Sequence, residues 1–441
     1  MGETSLPPGP ALPTLVQTYL LWRHPERFLT ACRRRYGPTF RVRALPYGVR
    51  VHVADPADIR RVFKGDPKVF HAGEGIATAL GSMLGEHSLL ALDEDDHQRQ
   101  RRPMMRPFRG DTMRGYLDAI AAIAAESVRG WPVGRPFSLH PFMRRITIEV
   151  IVRVVLGTEA GTRRDRLRVL LTDVLEMGAS EMIGWKWPLL ARIGPWRRHR
   201  RMFAELEALL MAEVRDRGAD PALAERADVL SVLLRESAGE LTDVAVRDHL
   251  VTLLIAGYET TATALAWAFE CITGHPEIQR GLVEDDAYLD AAIRESLRLR
   301  PIFFEISPRR LTEPVELGGY LLPEGTMVTP SVGVVHLSAD HYERPAEFRP
   351  ERWLRKSDGH QPWLPFGGGV RRCVGAEFAQ REMAVVVRTV LRRGELRRAG
   401  APERARPRHV TLVPSRGARV TFHPHRAGRG GEQDGPAARA G

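Results

Sequence analysis

FGGGVRRCVGAEF, running from Phe366 to Phe378, is the stretch on which the reading of this 441-residue chain turns. Three glycines precede its cysteine and a fourth follows two residues after it. Glycine at that density weakens any helix or strand interior, so the run predicts a tight loop whose backbone passes close to something flat. From Ala376 to Leu391 apolar residues recur at helical spacing. Cys373 therefore sits at a helix N-terminus, where unsatisfied backbone N–H groups and the positive dipole end favour a thiolate. Arg371 and Arg372 add positive charge beside it.

The other two cysteines, Cys32 and Cys271, form no CxxC pair with Cys373 or with each other. That argues against a disulfide framework and a tetrahedral zinc site, and predicts a reducing cytoplasm. A lone cysteine is ordinarily a small buried apolar residue, so Cys373 is distinguished only by its loop. A hydrophobic fraction of 43% is ample for a large core. Lys and Arg exceed Asp and Glu by 11, which suits nucleic acid, an anionic membrane or an acidic protein. No helix-turn-helix, zinc-finger or aromatic RNA-binding pattern accompanies the charge, so nucleic acid is not expected. The first 22 residues lack the basic-then-apolar layout of a secretory signal. Their apolar run, residues 11–22, is interrupted by Pro13, Thr14, Gln17 and Thr18, and is too short for the roughly 20 residues a bilayer requires. A soluble protein follows, at most touching a membrane surface.

Periodicity predicts a mainly α chain with a minor β lobe near its start. A helix over residues 23–35 precedes a β-hairpin, 40–45 and 49–54, turning at Pro46-Tyr47-Gly48. Asp55-Pro56 opens a helix through Phe63. Further helices are predicted over 111–131, 141–156, 163–177, 195–217 and 289–299. The longest, 242–273, spans roughly 48 Å and is apolar on nearly all sides between Leu250 and Phe269, so it should cross the middle of the molecule. Short strands are predicted at 315–317, 325–329, 409–413 and 418–422. Residues 1–423 read as one domain, and the Gly/Arg-rich tail 424–441 as disordered.

A thiolate at Cys373 can ligate haem iron and push electron density that favours O–O cleavage. The pattern Phe-x-x-Gly-x-Arg-x-Cys-x-Gly is complete at Phe366, Gly369, Arg371, Cys373 and Gly375, and resembles the haem-binding loop of the cytochrome P-450 family. The resemblance runs from about Pro7 to Phe422 and is nearest to soluble bacterial members. It implies a fold in which haem b lies between the long central helix and the cysteine-loop helix. Mid-way along the long helix, Ala256-Gly257-Tyr258-Glu259-Thr260-Thr261 places polar groups where they are costly unless satisfied. Thr260 is placed to bond back onto Ala256, and Gly257 to let a ligand approach. By the resemblance this is the oxygen-binding groove, with Glu259 feeding protons through water and Thr260 holding iron-bound oxygen for protonation. His97 and Arg101, one helical turn apart, with Arg309 and Arg371, are candidates to hold the haem propionates. Glu295, Arg298 and Arg352 match the family's buried Glu–Arg–Arg cluster, which supports the cysteine loop from behind. His336 and His341 read as ordinary surface or core residues.

There is one departure. Ile302 to Pro308, IFFEISP, puts Glu305 among residues that line the substrate cavity in relatives. It either selects a basic group on the substrate or points outward to an arginine. The expected cavity walls are residues 70–92, 176–196, 253–260, 302–306 and 413–415, apolar on balance, with Phe303, Phe304, Ile255 and Met182 among them. They favour a hydrophobic small molecule. Residues 182–198 read as an access lid, with contact to a membrane as the alternative. No dinucleotide or flavin fingerprint occurs, so the expectation is a monomeric O2-using monooxygenase fed by a ferredoxin and its reductase. Arg99, Arg102, Arg106, Arg109 and Arg372 are its candidate docking cations. A peroxide-driven peroxygenase and a haem sensor are the alternatives.

Overall fold

Thr242 accepts a hydrogen bond from the Ala245 N–H and starts a helix that continues unbroken to Thr273. In the computed structural model, which describes residues 6–45, 48–76, 84–108, 110–157, 161–175, 194–237, 239–354 and 361–425, this helix is the axis of the core. The other helices are α1 (Thr14–Arg23), α2 (Pro25–Tyr36), α3 (Pro56–Lys64), α4 (Glu94–Met105), α5 (Gly110–Arg129), α6 (His140–Leu156) and α7 (Thr162–Leu175) before it. Next come α8 (Gly194–Gly218), α9 (Val229–Glu236) and the axis itself, α10 (Asp243–Thr273). Four follow it: α11 (Gln279–Glu284), α12 (Asp286–Leu299), α13 (Val332–His336) and α14 (Ala376–Leu391). α6, α8, α12 and α14 pack on α10. Leu250, Leu254, Ala262, Leu265 and Phe269 of α10 are fully buried among them. By length and composition α10 resembles a membrane span, but 78% of its most apolar stretch is covered by the protein itself; its hydrophobicity all round serves the core.

The β lobe is built by β1 (Thr39–Ala44), β2 (Gly48–Val53), β3 (Phe70–His71), β5 (Arg309–Leu311) and β8 (Met327–Pro330), in the order β1-β2-β8-β5-β3. All pairs are antiparallel except β2 with β8. Smaller sheets join β4 (Phe137–Ser138), β12 (Arg419–Pro424) and β9 (Gly394–Arg398), then β6 (Val315–Leu317) with β7 (Tyr320–Leu322), and β10 (Ala405–Arg408) with β11 (Thr411–Pro414). Asp55 caps α3 through Ala57 and Asp58, as its Asp-Pro start predicts.

Two expectations are corrected. The helix predicted over 23–35 starts at Pro25, because His24 leaves helical geometry, and a further helix, α1, precedes it. The C-terminal strand continues through Pro424, and His425 still bonds to Leu391 and Arg393. Any tail therefore begins later than residue 424, and residues 426–441 lie outside the described ones.

Candidate active site

The cysteine loop is held by its own backbone. Phe366 O accepts from Cys373 N–H at 3.0 Å, and the turn Gly369–Arg371 closes with Arg372 N–H on Gly369 O at 3.1 Å. Gly367 and Gly369 have φ of +67° and +62°. A Cβ on Gly369 would lie 1.6 Å from Phe63 O, so glycine is obligatory there. Gly368 and Gly369 thus pack closely against Phe63 at the end of α3. Gly375, by contrast, has no protein atom within 4 Å of where a Cβ would stand.

Cys373 keeps accessible surface although the surrounding protein desolvates its thiol. Burial pushes its thiol pKa up, against the Gly375 N–H aimed at the sulfur and the Arg101 and Arg372 guanidiniums, which pull it down. The expected lowering is therefore outweighed, because desolvation penalises a thiolate more than these donors relieve it. Cys32 and Cys271, pushed by burial to about 11 and about 12, have no backbone donor on sulfur. Only Cys373 is prepared for an anionic state, and a bound cation would complete it.

Positive groups gather on one side of this loop. Burial and the charges of Arg371, Arg101 and Arg309 hold His97 down at about 3. Burial and Arg371 bring Arg309 to about 10, and burial likewise lowers Arg371 to about 10. Arg101 donates to Arg372 O. The carboxylate in this group is Asp93, 2.5 Å from Arg371, and it also accepts from the N–H groups of Ala72, Gly73 and Glu74. Mutual repulsion among buried cations is relieved by an anion, and two carboxylates on a flat ring would suit it. Sequence reasoning misses Asp93, because its position before an acidic first turn of α4 resembles an ordinary N-cap.

On α10, Leu253, Ile255, Gly257 and Thr260 are part-exposed and Ala256 is exposed, in the middle of an otherwise buried helix. Thr260 Oγ1 donates to Ala256 O at 2.5 Å, leaving its lone pairs to accept from the open side. A Cβ on Gly257 would come 2.7 Å from Ile151 Cδ1, so its small size also admits the close approach of α6. Glu259 lies 3.1 Å from Arg144, 3.4 Å from Arg408 and 3.7 Å from His140. Burial and those arginines keep His140 low, at about 3. These three partners come from α6 and β10, far away in sequence, and no local pattern marks them.

Glu305 turns into the β lobe, with Oε1 3.2 Å from His52 and 3.7 Å from Arg50. Burial raises its pKa against the pull of Arg50. Of the two readings the arginine one holds, though Arg50 is buried and Glu305 half-buried, so the pair does not point outward. Phe304 is likewise not a cavity wall: it packs with Phe28, Phe40 and Val334. Met182, and residues 77–83 and 176–193 of the expected walls and lid, lie outside the described residues, as does Arg109. Among the docking cations, Arg99 pairs with Asp96 and Arg106 with Glu236, while Arg102 and Arg372 are exposed.

Behind the loop, Glu295 is fully buried and receives Arg298, Arg352 Nε at 2.9 Å, Trp353 Nε1 at 2.9 Å and the Arg349 N–H at 3.1 Å. Arg298 also donates to His336 O at 2.7 Å. His336 Nε2 in turn accepts from the Leu364 N–H at 2.9 Å, two residues before Phe366. The cluster is thus wired to the cysteine loop through His336, to which the sequence alone assigns no role.

That wiring has a pH signature. Burial and Arg298 hold the His336 pKa down to about 3, whereas an unfolded histidine titrates near 6.5. The stability is fully present above the unfolded value and is lost as pH falls from about 6.5 toward 3, by ~1.4 kcal/mol per unit. Denaturant titrations at pH 7 and pH 5 should differ by about 2 kcal/mol through this residue alone, and His336→Gln should shrink the difference. An unchanged pH slope in the variant would refute the assignment.

Comparison with known proteins places the chain among relatives. A cytochrome P450 family profile matches residues 5–422. The chain is 44% identical over 434 residues to cytochrome P450 135B1 of Mycobacterium tuberculosis, covering 95% of this chain and 92% of that protein. It is 38% identical over 445 residues to cytochrome P450 135A1 of the same species, covering 98% and 99%. Its fold matches the cyanobacterial CYP120A1 solved with retinoic acid bound, with a TM-score of 0.82 at 22% identity, over 96% of this chain and all of that one.

Proposed function

Because the chain belongs to the cytochrome P450 family of haem-thiolate monooxygenases, we propose that it uses O2 to insert one oxygen atom into a hydrophobic small molecule. The observation that carries this is Cys373, the one cysteine that is exposed and has a backbone N–H on its sulfur. When bound there, haem b supplies the electron storage and oxygen activation that no side chain provides.

The residues fit that group. Cys373 would hold the iron through its sulfur, with Phe366 O on its backbone N–H and the Gly375 N–H on the sulfur. Gly375 would leave room beside the loop, and Gly369 and Phe366 shape its turn. Arg101, Arg309 and Arg371 would hold the propionates, exchanging mutual repulsion for charge-assisted bonds, with neutral His97 as a hydrogen-bond donor beside them. Thr260, fixed on Ala256 O, presents its oxygen to the reaction side as a hydrogen-bonding group. Glu259 passes protons inward, its carboxylate held by Arg144, Arg408 and His140. The apolar residues Leu253, Ile255 and Ile302 favour a lipophilic substrate. Electrons come from separate proteins, a ferredoxin and its reductase, docking near exposed Arg102 and Arg372.

The test is product formation with reduced pyridine nucleotide plus ferredoxin and reductase, set against peroxide alone. Turnover only with peroxide would make the protein a peroxygenase, and turnover with neither a sensor. Thr260→Ala should keep haem but divert oxygen into released peroxide, lowering coupling about tenfold or more. Equal coupling in variant and wild type would remove Thr260 from the reaction.

A further inference from the structure

α1 carries an apolar stripe that the fold leaves uncovered. Leu15, Val16, Tyr19 and Trp22, with Leu12 just before the helix, recur at three- and four-residue spacing and share one face. Leu15 is 71% and Tyr19 61% exposed, while Gln17 and Leu21 on the opposite face are buried. Single exposed apolar residues are ordinary, but a contiguous set rimmed by polar groups marks an interaction site.

Two hairpins extend the patch. The Leu45 N–H donates to Thr18 Oγ1 at 3.0 Å and the Arg43 N–H to Gln17 Oε1 at 2.9 Å. The end of the β1–β2 hairpin therefore lies beside the middle of α1, bringing exposed Leu45 and Val49 alongside. The β10–β11 hairpin packs Ala405 and Leu412 against the cluster that holds Leu20 and Leu21. Alternation along β10 then leaves Arg404 and Arg406 exposed, with Val410 exposed at the turn.

The exposed charge on this surface is mainly positive. In residues 6–26, 39–53 and 403–412, Arg50 and Arg408 are ion-paired with Glu305 and Glu259 and Glu403 is buried, which leaves the exposed arginines facing one exposed carboxylate, Glu26. Arg23, Arg43, Arg404 and Arg406 are exposed. A second copy docking through the same patch would set arginine against arginine across a two-fold axis, which disfavours that occupant. An acidic protein would meet the charge but not the apolar helix face. A bilayer offers negative headgroups above an apolar layer, and Trp and Tyr prefer that boundary.

We propose that α1 and the ends of the β1–β2 and β10–β11 hairpins form a peripheral docking surface for an anionic lipid bilayer. α1 lies in the interface plane and does not span it; its 10 residues reach only about 15 Å. The same β10–β11 hairpin carries Arg408, the partner of Glu259, and Leu412, whose N–H bonds to Ile302 O and whose carbonyl receives Trp267. Docking therefore holds the candidate site next to the lipid from which an apolar substrate partitions. That route rests on the function proposed above; the docking does not.

The haem-loaded full chain is sedimented with vesicles of equimolar phosphatidylglycerol and phosphatidylcholine, and with phosphatidylcholine alone. It should bind the anionic vesicles and only weakly the neutral ones. Leu15→Glu and Tyr19→Glu should each weaken binding about tenfold or more. Arg43→Gln combined with Arg406→Gln should weaken it about thirtyfold on anionic vesicles. Val169→Glu, at an exposed apolar residue of α7, should bind like wild type. The reduced carbonyl spectrum identifies any misfolded variant, and Trp22→Glu then replaces it. No binding to either vesicle, or binding indifferent to Leu15→Glu, would overturn the proposal. So would a concentration-dependent dimer that Leu15→Glu dissolves, because the occupant would then be a second copy.

Discussion

Cys373→Ser should yield a protein whose reduced carbonyl complex has lost its red-shifted band and whose turnover has fallen roughly a hundredfold or more, about 2.7 kcal/mol of barrier. A serine oxygen is a poorer electron donor to iron than a thiolate, so the push that favours O–O cleavage disappears. The Gly375 N–H and the Arg101 and Arg372 charges remain, so the variant isolates the ligand atom from its surroundings. Cys32→Ser and Cys271→Ser are the controls: both thiols are buried without a donor on sulfur, and their loss should leave the band in place. A Cys373→Ser protein that keeps the red-shifted band would mean that the ligand lies elsewhere, and the proposed function would fall with it.

Glu295→Gln should cost about 3–5 kcal/mol, because it leaves the Arg298 and Arg352 guanidiniums buried without their carboxylate. Against a total stability of about 5–15 kcal/mol this is enough to deplete folded protein. The loss should exceed that of any surface ion pair because Glu295 and Arg298 are fully buried and water cannot replace the lost partner. Arg298 also ties α12 to the carbonyls of His336, Pro345 and Glu347, so damage should spread to the Leu364–Phe366 approach and reduce haem retention. Denaturant midpoints and the haem-to-protein ratio read both effects. A variant with wild-type values for each would show that the cluster does not brace the loop.

Elements with strong local signals are legible in the order of residues. The cysteine-loop helix 376–391 and the strand 315–317 match their predicted limits, and the long helix starts one residue late because Thr242 is its cap. Pairs of residues within one turn are legible too, such as Glu295 with Arg298, or Thr260 reaching back to Ala256. Expectation and structure part where a residue's role depends on a partner from another element. Gly257 and Gly369 also let other elements approach closely, Ile151 of α6 and Phe63 of α3, which no local spacing shows. Phe304 sits in a stretch expected to line the cavity and is core.

Spacing, glycine placement and periodicity are local properties; they suffice for the family and the mainly α architecture, and they single out the cysteine proposed as the ligand. Tertiary structure alone decided that Glu259 faces Arg144, Arg408 and His140, that Glu305 is spent on His52 and Arg50, and that His336 links a buried ion cluster to the loop. It also left one face of α1 bare. Electrostatics and close packing act through space at a few ångströms, and separation along the chain does not encode that distance.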